Sequence, residues 1–174
     1  GLYLPAPSEY TPSDVVAAAF PDATVSNSSA SGATATDLYW GKGVCAGAGC
    51  WFDRMAADHS NLVIINVGLN DMIRDNAPGQ FEANLGALVD VAHGSGKQVI
   101  LETPNPTTFA DVSDIASKIR GVASEHGAGL IDQTFNVETF MPDWKDHLPD
   151  GIHPDDSMYH LKGIMDTIAL SHIS

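Results

Sequence analysis

LVIINVG, residues 62–68, is a largely apolar run rich in β-branched residues and closed by a glycine. A strand wetted on one face alternates polar and apolar side chains. A strand covered by helices on both faces is apolar throughout, and this run reads as the second kind. KQVILET (97–103) and AGLIDQ (128–133) repeat the pattern, and helices are predicted between them over about 78–93 and 111–126. Strands alternating with helices mean crossover connections, hence a parallel sheet in an α/β three-layer fold.

The remaining elements follow from local signals. In TPSDVVAAAF (11–20) Thr11 caps a helix, Pro12 suits its first position, Asp14 meets the positive end of its dipole, and Pro21 stops it. ATVSN (23–27) reads as a short strand. Further helices are predicted over about 34–40, 51–58 and 157–171. With 174 residues and 44% hydrophobic content, residues 1–174 are expected to form a single domain.

Eight Lys+Arg against 22 Asp+Glu give a formal charge of −14, a field that repels nucleic-acid phosphates and anionic membrane surfaces. No apolar run approaches the roughly 20 residues of a membrane span. Cys45 and Cys50 flank Ala-Gly-Ala-Gly in a glycine-rich loop, and a disulfide closing that short ring is expected, with two free thiols as the other reading. A disulfide would place the protein outside the cytoplasm, secreted or periplasmic. Two cysteines without histidines at ligand spacing make only half a zinc site, and Asp143, Asp146, Asp155 and Asp156 fit no calcium loop, so no metal is predicted. His59, His93, His126, His147, His160 and His172 pair with no second ligand and read as ordinary surface or core histidines.

The polar insertions after the strands carry the chemistry, since in open α/β sheets the ligand crevice lies outside the carboxyl ends of the strands. Three stretches stand out: NSSASGAT (27–34), VGLNDM (67–72) and DGIHP (150–154). In this order they resemble blocks II, III and V of the SGNH (GDSL-type) hydrolases, which include esterases, lipases and carbohydrate O-deacetylases of flavodoxin-like fold. The resemblance runs from about residue 12 to 165. It implies that His153 is the general base, that Asp150 fixes its tautomer, and that the Gly32 N–H and the Asn70 side-chain amide form an oxyanion hole. Residue chemistry agrees: glycine lets backbone approach an oxygen, an amide donates without a charge, and a histidine cycles a proton near neutral pH. Asp71 reads as structural, bonding loop backbone. Trp144 is expected either to wall the acyl or sugar pocket or to pack its loop.

The family's Gly-Asp-Ser block, which carries the nucleophile at the end of the first strand, is absent from these 174 residues. The helix at 12–20 and the strand at 23–27 resemble the family's first helix and second strand, so the first strand and its serine are expected before Gly1. In the flavodoxin-like order 2-1-3-4-5 its absence leaves ATVSN and LVIINVG about 9.6 Å apart, two strand spacings. Three explanations are open. A separate polypeptide segment carries the strand and serine, with Gly1 to Leu4 continuing its turn; another element fills the slot in a non-catalytic carbohydrate-binding or assembly domain; or Ser8, Ser29 or Ser31 has taken over. The first is the working expectation. It gives a cofactor-independent ester hydrolase acting on O-acetylated or other short-acyl carbohydrate or a small ester, with an acyltransferase as the lesser variant.

Overall fold

Residues 11–74 and 76–173 are described by a computed structural model. Three parallel strands, β1 (Leu62–Ile65), β2 (Gln98–Glu102) and β3 (Gly129–Ile131), form a sheet of order β1-β2-β3, with Ile65 opposite Leu101 and Leu101 opposite Leu130. Alternation along β2 separates the two faces. Val99 and Leu101 point into a core with α5 (Gln80–Gly94) and α6 (Ser113–His126), to which α2 (Ala35–Trp40) and α3 (Trp51–Ala57) contribute Ala35, Trp51 and Met55. Trp51 is almost fully buried and satisfies its indole N–H on the Leu88 carbonyl at 2.9 Å, anchoring α3 on α5.

On the opposite face lies α8 (Asp156–Ser171), contacted by α1 (Pro12–Ala19) and α7 (Gln133–Phe140). The approach of α1 to α8 is close because Gly163 has no side chain: a Cβ there would sit 2.6 Å from Val15 Cβ. Thr11 caps α1 as its sequence predicts, and Thr34 and Asp37 form a capping box on α2. The three layers and the parallel sheet match the sequence expectation. Two short helices were not expected: α4 (Leu69–Ile73), and α7, whose N-cap Asp132 accepts from the Phe135 N–H.

Two expectations fail. ATVSN (23–27) is not a strand; residues 24–30 have no regular secondary structure. A strand needs a ladder partner, and among the described residues none lies beside this segment. The Cys45–Cys50 disulfide is not formed. Residues Gly43–Ala48 coil into a 3-10 helix that carries Cys45 inward to 3% exposure, while Cys50, at the N-cap of α3, turns its thiol to Asp53 Oδ2 at 3.2 Å. Burial pushes the Cys45 thiol up, as for a small apolar core residue.

The missing pairing leaves a trough. Among the described residues β1 pairs on one side only, with β2, and its other side faces a trough of about 1380 Å³ whose far wall is α1 and the irregular 24–30 segment. The Tyr159 hydroxyl is buried without a hydrogen-bond partner among the described residues, and both Tyr159 and Glu102 line this trough.

Candidate active site

Two half-sites are built at the carboxyl ends of the strands. The first joins the loop before α2 to the turn after β1. Asp71, buried in the first turn of α4, accepts the Ala35 backbone N–H on both carboxylate oxygens at 3.0 and 3.2 Å. Burial pushes its pKa up to about 6. The neighbouring Asn70 donates from Nδ2 to the Ala33 carbonyl at 3.2 Å, which brings the Asn70 amide beside Gly32, whose backbone is left-handed at φ 77°. Arg74 reaches back to Asp37 at 3.1 Å and closes the same junction. Gly32 and Asn70, 38 residues apart in sequence, are thus neighbours in space.

The second half-site is the DGIHP loop. His153 Nδ1 lies 2.6 Å from Asp150 Oδ2, while Asp150 Oδ1 accepts the backbone N–H groups of His153 at 2.7 Å and Ile152 at 2.9 Å. These three bonds hold the Asp150 carboxylate well below its ordinary range, at about 2, the His153 side-chain bond being the largest cause. A carboxylate ionised at neutral pH makes Nδ1 the protonated nitrogen of a neutral ring and leaves Nε2 basic. The imidazole is nearly half exposed, so the base is open to a reactant. Gly151 makes the turn possible: its φ is 81°, and a Cβ would lie 2.8 Å from Thr108 Oγ1.

A bridged histidine fastens the base of this loop. His147 Nδ1 lies 2.7 Å from Asp155 and Nε2 3.2 Å from Asp143; the Asp155 hydrogen bond leads in raising its pKa. Trp144 packs against Val137, Leu148 and Met158, with Lys145 Nζ 5.5 Å from its ring centroid. Of its two expected roles the structure displays the packing one.

Tyr159 relates the half-sites. Desolvation and the Asp150 charge both raise its pKa, and Tyr159 lines the same trough as Ala30, Ala33 and Val67. Ala33 of the first half-site thus borders the trough, as does Tyr159, which feels the charge of Asp150 in the second. Of the serines in the chain considered as nucleophiles, Ser29 turns its hydroxyl onto Asn27 and Ser31 sits exposed before α2, neither at a strand-to-helix turn; Ser8 and Gly1 to Leu4 lie outside the described residues.

A model of the GDSL-like lipase/acylhydrolase family matches residues 6–161. The chain belongs to that family. Members of the GDSL-like family are also found among solved structures of similar shape. A lipolytic G-D-S-L family protein from Veillonella parvula superposes with a TM-score of 0.75 at 13% identity, over 97% of this chain and 92% of that one. A second lipolytic G-D-S-L protein, from Desulfitobacterium hafniense, gives 0.75 at 21% identity, over 95% and 91%. An acetylxylan esterase from Geobacillus stearothermophilus gives 0.76 at 17%, over 92% and 80%. No curated protein matches the sequence. As a GDSL-like protein the chain is of the ester-hydrolase and acylhydrolase class. Among its described residues no helix is long and apolar enough to cross a membrane.

Proposed function

We propose that this protein is the base and oxyanion part of a serine-type hydrolase that removes O-acetyl or other short acyl groups from carbohydrate. A further polypeptide segment, laid as a strand against β1, carries the Gly-Asp-Ser nucleophile. The observation that carries the reading is the 2.6 Å Asp150–His153 pair in a turn that opens its imidazole to solvent. The side of β1 left unpaired among the described residues supports the segment: a parallel strand there would meet the ladder groups of Leu62–Ile65. The likeness to an acetylxylan esterase supports the acyl-sugar class. The reading places the enzyme outside the cytoplasm, where polymeric acetylated carbohydrate is met.

The chemistry runs as two displacements. The serine oxygen attacks the ester carbonyl as its proton passes to His153 Nε2, and Asp150 stabilises the cation formed. The carbonyl oxygen becomes an oxyanion that takes hydrogen bonds from the Gly32 N–H and the Asn70 amide, each worth about 3 kcal/mol of barrier. Collapse breaks the C–O bond to the sugar, and the imidazolium returns its proton to that alkoxide. Water then attacks the acyl-serine by the same route. No cofactor takes part.

Denaturing intact-mass analysis tests the segment: a second, smaller peptide containing Gly-Asp-Ser is expected beside the 18.3 kDa chain. Turnover of a chromogenic acetate ester is its companion, and His153→Ala should remove at least about a thousandfold of it. A lone chain that binds acetylated oligosaccharide without turnover identifies the non-catalytic carbohydrate-binding domain instead.

A further inference from the structure

We infer that Asn105 and Lys162 are positioning residues for the Asp150–His153 dyad. The inference rests on the proposed role of that dyad as the catalytic base.

Three groups connect the dyad to the core behind it. Lys162, on α8, is 1% exposed and donates from Nζ to Asn105 Oδ1 at 3.3 Å. Asn105, 2% exposed in the loop after β2, donates from Nδ2 to the Pro106 carbonyl at 3.1 Å and to the Ile152 carbonyl at 3.3 Å. Ile152 is the residue before His153. The Thr108 and Phe109 N–H groups grip the adjacent Gly151 carbonyl at 2.9 and 3.3 Å. The loop after β2 therefore holds two successive carbonyls of the turn whose N–H groups are held by Asp150, and the turn is clamped from both sides.

Burial at Lys162 gives this clamp its weight. A buried ammonium is unfavourable unless paired, and an apolar side chain of the same volume would often be at least as stable. Asp166, 4% exposed on the same helix, faces Lys162 and Glu102, and Gln133 Nε2 ties the Lys162 carbonyl at 3.1 Å to Asp166 Oδ1 at 2.7 Å. The Lys162 ammonium, held on Asn105 Oδ1, fixes which way the Asn105 amide faces, and that amide presents its N–H rather than its oxygen to the Ile152 carbonyl. Lys162 and Asp166 also line the trough, so the chain of contacts runs from the proposed nucleophile strand to the base.

Long-range ¹H–¹⁵N spectra of the imidazoles in the 174-residue chain, at a pH where a neutral ring dominates, read the tautomer of His153 directly. The wild-type ring is expected almost wholly in the Nδ1–H form. Asn105→Asp keeps an acceptor for Lys162 Nζ and removes the donor to Ile152; a shift of His153 to a mixture of tautomers, with far-ultraviolet circular dichroism unchanged, is the expected result. Lys162→Met is the second variant and decides the matter if Asn105→Asp does not fold; the same shift is expected. Wild-type tautomer populations retained in the folded variants overturn the positioning role. A mixture already present in the wild-type chain overturns the dyad reading instead.

Discussion

Asp150 and Asp71 are both carboxylates in strand-end loops, and their surroundings drive them in opposite directions. Asp150 is exposed, and its three hydrogen bonds favour the charged form, so its folded value of about 2 lies below the ordinary 3.8. Its contribution to the order of the DGIHP turn is complete above the ordinary value and lost as pH falls toward 2; a ¹³C titration of its carboxyl carbon checks this, and a midpoint near 3.8 would contradict it. Asp71 is buried, and its folded value of about 6 lies above the ordinary one. Folding therefore takes up a proton between these values, and stability falls as pH rises through that window. Asp71→Asn keeps one acceptor for the Ala35 N–H and should remove this slope in urea unfolding. Asp71→Ala leaves that N–H unpaired and should lose about 1–3 kcal/mol. Equal stability of the two variants would show that the Asp71–Ala35 bond does not hold the loop that carries Gly32.

Element scale is where local sequence signals met their limits. The cap of α1 was legible because Thr-Pro acts through its own backbone, within a turn. ATVSN was misread for the complementary reason: β-branched residues favour extended backbone, but a strand exists only where a neighbour completes its ladder. The α7 segment QTFNVETF shows no clean apolar stripe, and its one legible signal was the capping Asp132. Packing of α1 on α8 was not legible at all. Gly163 reads in sequence as a helix-weakening residue, whereas in space it is the seat for Val15. Gly163→Ala should thus destabilise the protein by about 1–3 kcal/mol despite its better helix propensity, measured by urea unfolding. A gain in stability would mean that α1 moves away without loss.

For the molecule as a whole, the sheet is asymmetric among the described residues: β2 is bonded on both sides, β1 on one. Backbone amides of Leu62–Ile65 should exchange with solvent by openings of lower free energy than those of Val99 to Leu101, and should gain protection when the serine segment is present. Equal protection of the two strands without the segment would contradict the open edge. The residual stability of such a sheet comes from the α2, α3, α5 and α6 face, whose core is complete around Leu85, Leu88 and Ile119.

The sequence by itself determined the fold class, the parallel strands and the Asp150–His153 pair, because periodicity, caps and a three-residue spacing are local quantities. Tertiary structure alone decided that Asn70 bonds the Ala33 carbonyl next to Gly32, that Cys45 and Cys50 are free thiols, that residues 24–30 are not a strand, and that Asn105 and Lys162 stand behind His153. Each of these depends on atoms distant in sequence arriving at one place, and pairing, burial and desolvation exist only once they have.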